Sequence, residues 1–219
     1  MGNGLIPSNS MSAKGLFISG TGTDIGKTFV SLALCSAAQK KGLKTAYFKP
    51  IQCGQYELGN GTTGGDIDWV KHSLPEEIQA NVTVAESYRY SEPVSPHLAA
   101  ERAGEPVPFQ KIQEDFQELT KNHDFVLVEG AGGILAPLDR MGTNQISLMD
   151  MLKVPLLLVS ANQVGTLNHT GLAGEYLKSR NWEFEWILTE PQPLDKWVAE
   201  DNRTTLEKDL GKKAWGNLA

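Results

Sequence analysis

Short apolar runs recur along the chain and alternate with stretches of helical period. Leu16–Ser19, Thr45–Phe48, Phe125–Val128, Leu156–Ser160 and Phe184–Leu188 predict strands. The third and fourth are almost wholly apolar, as strands covered on both faces are. Lys27–Lys40, His97–Ala103, Phe109–Lys121, Leu167–Ser179 and Asp195–Lys208 predict helices. In the third of these, Phe109, Ile112, Phe116 and Leu119 fall on one face, the stripe an amphipathic surface helix buries. Alternating strands and helices predict an α/β protein with a doubly wound, mostly parallel sheet flanked by helices, whose ligand crevice lies beyond the carboxyl ends of the strands. Between the second and third strands, Ile51–Asn122 shows no clear strand and opens on the Gly-rich run Gly54–Gly65. A stretch of this length is expected to be functional or disordered.

The first predicted strand runs directly into Gly20-Thr21-Gly22-Thr23-Asp24-Ile25-Gly26-Lys27-Thr28, and a helix follows. Such a junction forms a phosphate cradle. Glycines let backbone N–H groups converge on an anion, the helix N-terminus adds partial positive charge, and a lysine and a threonine reach the terminal phosphates and Mg²⁺. The pattern predicts a nucleoside triphosphate site of the P-loop type. Strict spacing places a glycine at position 21, where Thr21 stands, so the loop is a variant.

With 219 residues and 40% hydrophobic content, the chain is long enough to bury a large core. The expected organisation is a tail over residues 1–12, disordered or an added extension, and a single domain over residues 13–219. The net charge of −6 and the scattered basic residues argue against nucleic acid and for small-molecule substrates. Cys35 and Cys53 are too few for a disulfide framework and lack zinc spacing. They fit a reducing compartment. No apolar run approaches the roughly 18 residues that span a bilayer, and Met1–Ser10 has no leader pattern. The expectation is a cytoplasmic protein without a membrane partner.

Phosphoryl transfer needs neutralised phosphate charge, a metal bridging the phosphates and an in-line nucleophile. Lys27 and Thr28 stand at the first junction, Lys49 closes the second strand, and Glu129 closes the third ahead of Gly130-Ala131-Gly132-Gly133. An acidic residue after an apolar strand is where such an enzyme holds Mg²⁺. Asp66 and Asp68 can each add a carboxylate, and spacing does not choose between them. His97, in Ser95-Pro96-His97, reads as a cap or loop brace more than as a catalyst. The remaining histidines show no metal spacing.

Taken in order, the segments from Gly20 to Thr28, Tyr47-Phe48-Lys49-Pro50-Ile51-Gln52-Cys53-Gly54, Asp66, Glu92-Pro93-Val94-Ser95-Pro96-His97, Val128-Glu129-Gly130-Ala131-Gly132-Gly133 and Gly165-Thr166-Leu167-Asn168-His169 resemble the dethiobiotin synthetases, P-loop enzymes of the MinD-like class. The resemblance implies joining of CO₂ to 7,8-diaminononanoate with ATP as co-substrate and Mg²⁺ as cofactor. It implies nucleotide contacts from Thr23, Asp24, Ile25, Gly26, Lys27, Thr28, Phe29, Asp66, Glu129, Gly130, Ala131, Gly132, Thr189 and Glu190. Metal contacts fall to Thr28, Asp66 and Glu129, and catalysis to Lys49 and Lys27. Substrate contacts fall to Lys49 and Cys53 and to Gly165, Thr166, Leu167 and Asn168, the last four from the neighbouring subunit of a homodimer.

Three departures stand out. Cys53 replaces a frequent serine, so a hydroxyl hydrogen bond becomes a weak thiol one. Thr189 stands where an asparagine commonly reads adenine. A later strand that flanks the purine is not visible in Asp195–Ala219. A synthetase acting on cobyrinate-like acids shares the loop class but usually carries a glutamine-hydrolysing domain, for which this chain has no room. A MinD- or ParA-like switch ATPase is the alternative of a different class. Those proteins carry a second lysine in the loop, where this chain has Gly22, and no basic terminal helix is evident.

Overall fold

The computed structural model describes residues 14–58 and 63–218. The expected tail over residues 1–12 lies outside them, as do residues 59–62 of the Gly-rich run. In chain order the elements are β1 (Gly15–Gly20), α1 (Lys27–Lys40), β2 (Thr45–Phe48), β3 (Ile51–Cys53), β4 (Tyr56–Glu57), β5 (Thr63–Gly64), α2 (Asp66–Ser73) and α3 (Glu76–Gln79). There follow β6 (Val82–Ala85), β7 (Tyr88–Tyr90), α4 (Pro96–Ala103), α5 (Phe109–Asn122) and β8 (Phe125–Glu129). The chain continues through α6 (Gln145–Leu152), β9 (Leu156–Ala161), α7 (Thr166–Ser179), β10 (Phe184–Thr189), α8 (Lys196–Leu210) and β11 (Asn217–Leu218). All five predicted strands and all five predicted helices are present.

Seven strands form one sheet in the order β11-β10-β9-β1-β8-β2-β6, and every neighbouring pair is parallel. Successive side chains on a strand point to opposite faces, and the apolar runs divide accordingly. Phe17, Val126, Val128, Leu156, Leu158 and Trp186 pack on one face with residues of α4 to α8. Ile18, Tyr47, Leu127, Leu157 and Val159 pack on the other with Val30 and Cys35 of α1 and Ile67 and Val70 of α2. The near-continuous hydrophobicity of β8 and β9 follows from burial on both faces.

The path explains where the site lies. From β1 the chain skips a position to β2, steps out to β6, returns to insert β8 beside β1, and then crosses to β9, β10 and β11 on the opposite side. The order reverses at β1, and this switch opens a crevice at its carboxyl end.

The stretch expected to lack strands is a second structured layer. β3 pairs in parallel with β7, β4 pairs antiparallel with β5, and β6 extends the main sheet beyond β2. β6 escapes notice because Val82-Thr83-Val84-Ala85, although β-branched, is an edge strand of only four residues. α6 escapes because Ile146, Leu148, Met149 and Leu152 are all buried, which blurs its helical period. A C-terminal strand also exists: β11 pairs with the end of β10. The segment before it is fastened where the Trp186 indole N–H donates to the Lys212 carbonyl at 3.1 Å.

Candidate active site

α1 starts from Gly26, whose φ of 89° lies in the left-handed region, where a side chain is strained. A Cβ there would also sit 3.0 Å from the Thr189 methyl. Among the described residues no side chain caps this helix, and its first turn from Gly26 to Phe29 lines the crevice, an arrangement that suits an anion. The crevice is a cavity of about 970 Å³ reached by the carboxyl ends of β1, β2, β8 and β10.

The buried Glu129 carboxylate organises the floor. Its Oε1 accepts from Thr28 Oγ1 at 2.9 Å and from Lys49 Nζ at 2.9 Å. Its Oε2 accepts from Ser31 Oγ at 2.7 Å and from Tyr47 Oη at 3.0 Å. Lys49 also donates to Asp66 Oδ2, and Asp66 Oδ1 accepts from Tyr56 Oη at 3.0 Å. One ammonium therefore bridges two carboxylates, and a buried charge is tolerable only when paired in this way. Burial works against the charge on Lys49, but Glu129 and Asp66 outweigh it and hold its pKa above the ordinary lysine range. Lys27 Nζ folds back to donate to the Gly22 carbonyl at 2.6 Å. Burial pushes its pKa down to about 8; Glu129 opposes that fall and Lys49 adds to it.

The two aspartates separate cleanly. Asp66 lines the cavity, positioned by its own N–H donating to Gln52 Oε1 at 3.0 Å. Asp68 turns outward, accepting from Arg89 Nη1 at 2.6 Å and from the Gly65 N–H at 2.9 Å. His97 acts as a brace: its Nδ1 lies 3.0 Å from Ser95 Oγ and its N–H donates to the Pro137 carbonyl.

Thr23, Asp24, Gly26, Lys27, Thr28, Phe29, Lys49, Cys53, Asp66, Glu129, Ala131, Gly132, Thr189 and Glu190 all line this cavity. Ile25 and Gly130 do not. The Ile25 side chain is buried in the core beside Ile18, and Gly130 packs so tightly that a Cβ would lie 2.7 Å from Gln145 Oε1. Gly165, Thr166, Leu167 and Asn168 also lie outside the cavity of their own chain: Leu167 and Asn168 face outward, while Thr166 is buried. Burial raises the Cys53 thiol to about 11, leaving it neutral and a weak donor.

Sequence reasoning missed Tyr47 and Ser31, which hold Glu129, and the wall formed by Tyr56, Trp69, Pro93 and Val94. The first two carried a signal. Tyr47 lies two residues before Lys49 on the same strand face, and Ser31 lies three after Thr28 on the same helix face.

A family model described as an AAA domain matches residues 14–214. The ATP-dependent dethiobiotin synthetase BioD of Clostridium botulinum strain Alaska E43 is 33% identical over 90% of this chain and 86% of its own. That of Halalkalibacterium halodurans is 36% identical over 89% of this chain and 80% of its own. This chain belongs to the dethiobiotin synthetase family. It is an ATP-dependent ligase of biotin biosynthesis, and the P-loop is its nucleotide element. The fold is shared more widely. The MinD cell division protein of Aquifex aeolicus matches with a TM-score of 0.54 at 13% identity, over 94% of this chain and 81% of that one. The kinase domain of Escherichia coli tyrosine kinase ETK matches with a TM-score of 0.52 at 16% identity, over 81% and 67%. These two likenesses show architecture alone, so the switch ATPase shares this synthetase's fold without lending it a function.

The hard oxygen donors Thr28, Asp66 and Glu129 fit Mg²⁺, which binds through one or two carboxylates plus substrate phosphates. The Lys49 ammonium stands among these oxygens as a cation already does. Among the described residues, no group of three or more His, Cys, Asp or Glu is placed to hold a metal by itself. No helix among them is long and apolar enough to cross a membrane.

Proposed function

We propose that this dethiobiotin synthetase closes a cyclic urea on 7,8-diaminononanoate, with residues 13–219 acting as one domain. One substrate amine captures CO₂ as a carbamate, losing a proton. The carbamate oxygen attacks the γ-phosphorus of ATP and ADP leaves, giving a carbamic-phosphoric mixed anhydride. The second amine then attacks the carbamoyl carbon, and the C–O bond to phosphate breaks. The observation that carries this reading is the meeting of Lys49, Lys27, Asp66 and Glu129 in the cavity that the P-loop helix opens into.

In this reading Lys27 neutralises the β- and γ-phosphates, and Lys49 steadies the carbamate and the migrating phosphoryl group. Fixed charges at such points are often the largest catalytic term. Bound at Thr28, Asp66 and Glu129, Mg²⁺ would neutralise phosphate charge. Ser31 and Tyr47 keep the Glu129 carboxylate in one orientation. The apolar wall of Trp69, Pro93 and Val94 suits the substrate's methylene chain, with Cys53 beside it.

The decisive experiment measures ADP release with Mg-ATP and bicarbonate, with and without the diamine, alongside mass detection of the product. Diamine-dependent release with matching cyclic urea is expected. Hydrolysis that ignores the diamine and yields no product would overturn the reading in favour of a switch ATPase.

The substrate carboxylate has no partner assigned within the chain's own cavity. The uncapped start of α7, at Gly165, Thr166, Leu167 and Asn168, would receive it from a neighbouring subunit. Sedimentation at micromolar concentration is expected to give a homodimer, and a monomer counts against the shared site.

Lys27 makes nucleotide affinity depend on pH. Below about 8 the free enzyme already carries the proton, so binding a polyphosphate needs none. Above it the free lysine is neutral while the phosphate-bound lysine stays charged, so binding takes up a proton. Affinity then falls as pH rises, by up to about tenfold per pH unit. Calorimetry in buffers of different ionisation heat reads this uptake; its absence at pH 9 would refute the role.

A further inference from the structure

We propose that Thr189 acts on the nucleotide through the phosphate loop: its hydroxyl holds the Ile25 carbonyl and thereby turns the Gly26 N–H toward the phosphates. Thr189 is in this sense a positioning residue. The inference rests on the nucleotide-site reading above and deepens it.

The loop is fastened at both ends. At its start the Thr21 N–H donates to the Val159 carbonyl at 3.1 Å, and the Gly20 carbonyl accepts from the Ile134 N–H at 3.0 Å. At its end α1 takes over, and the Gly26 carbonyl accepts from the Val30 N–H at 3.0 Å. The peptide joining Ile25 to Gly26 lies between these two sets of bonds and belongs to neither. The buried Ile25 side chain anchors its own Cα in the core beside Ile18, but a fixed Cα does not fix the plane of the peptide that follows. Gly26, at a φ of 89°, has no Cβ to oppose rotation about its N–Cα bond. The plane is therefore free to turn at little local cost unless something outside the loop holds it.

What holds it comes from β10, 164 residues away. The hydroxyl of Thr189, a residue 3% exposed, donates to the Ile25 carbonyl at 2.5 Å, with the Ser160 carbonyl a more distant second acceptor at 3.3 Å. The Thr189 methyl and Cβ lie 3.0 and 3.2 Å from the place a Gly26 Cβ would take, so one side chain meets both residues of the peptide. Thr189 is itself held, since it pairs with Ala161 in the sheet and its carbonyl accepts from the Asn162 N–H at 2.7 Å. A β-branched side chain has few χ1 states, which keeps the hydroxyl aimed. In a planar trans peptide the carbonyl and the N–H point to opposite sides. With the Ile25 carbonyl drawn to β10, the Gly26 N–H turns from it, and Gly26, Lys27 and Thr28 line the cavity. A phosphate oxygen accepts such an N–H in a charge-assisted bond. Removing the hydroxyl strands the Ile25 carbonyl, which then gains by turning toward another donor and takes the N–H with it.

The test is a titration of ATP and of inorganic tripolyphosphate, each with Mg²⁺, against the full chain and its Thr189→Val, Thr189→Ala and Thr189→Ser variants, with thermal unfolding to confirm that each folds. Tripolyphosphate has neither base nor ribose, so it reads the loop alone. Thr189→Val keeps the branched shape and removes the hydroxyl; Thr189→Ala removes it with less bulk, should valine not fit. Both variants are expected to bind the two ligands about tenfold more weakly, by the same factor. Thr189→Ser returns the hydroxyl and with it most of the affinity for both. In the wild-type chain and the serine variant the Gly26 amide resonance shifts when tripolyphosphate binds; in the hydroxyl-less variants that shift is lost. A loss confined to ATP, or a wild-type chain with no hold on tripolyphosphate while ATP binds, overturns the proposal, because recognition then runs through the base or ribose. Folded variants that bind both ligands as the wild type does, or a loss that serine does not repair, overturn it as well, since packing alone then accounts for Thr189. A wild-type chain that binds neither ligand refutes the nucleotide-site reading itself, and the two failures are thereby told apart.

Discussion

Lys49→Met forms cyclic urea at least about 10²–10³ times more slowly than the wild type, while nucleotide binding survives. The methionine keeps most of the buried volume and removes the ammonium that bridges Glu129 and Asp66. Losing a preorganised charge at the reacting centre costs about 10²–10³ in kcat, and here the same group serves both the carbamate and the migrating phosphoryl. The phosphate loop, the uncapped start of α1 and Lys27 are untouched, so the nucleotide dissociation constant should move far less than turnover. Glu129 loses its paired cation, which destabilises the variant, but it retains its donors Thr28, Ser31 and Tyr47, and thermal unfolding read beside activity checks that the variant folds. Single-turnover product formation read beside nucleotide titration separates chemistry from binding. Product formation at the wild-type rate would remove Lys49 from the mechanism.

Glu129→Ala carries the largest stability cost of any single change in the site. The carboxylate is fully buried and is the acceptor for two hydroxyls and a phenol as well as for Lys49. Its removal strands those donors and leaves the buried Lys49 ammonium with Asp66 alone. Breaking a buried ion pair by deleting one partner costs about 3–5 kcal/mol, which lowers the unfolding temperature by about 10 °C in a domain of this size. Activity is lost with it. Glu129→Gln keeps the shape and an acceptor oxygen, so it should recover much of the stability but little of the activity. An alanine variant as stable as the wild type would refute the view of Glu129 as the centre of the network.

How much of this was legible beforehand varies by element. β8 and β9 announced themselves because strands covered on both faces need unbroken apolar runs. α1 was legible from its glycine-rich start, and Lys49 and Glu129 from their places at strand ends, since a parallel sheet delivers such residues to one rim. β3, β6 and β7 were not, because a short strand at an edge or in a small secondary pair needs few apolar residues. The choice of Asp66 over Asp68 was closed to spacing, as both begin the same helix. It turns on Arg89, remote in sequence, and the Gly65 N–H at the helix start capturing Asp68.

The sequence by itself determined the layered α/β architecture, the phosphate cradle and the set of charged groups at the strand ends. Those features are local: hydrophobic period, glycine content and helix-start chemistry act within a few residues of one another. Only the tertiary structure decided that Lys49 bridges Asp66 and Glu129, that Tyr47 and Ser31 hold the carboxylate, and that the Thr189 hydroxyl is spent on Ile25 and Ser160. Those features are pairings between segments 17 to 164 residues apart, and which polar groups remain for a ligand depends on which of them the fold has already satisfied.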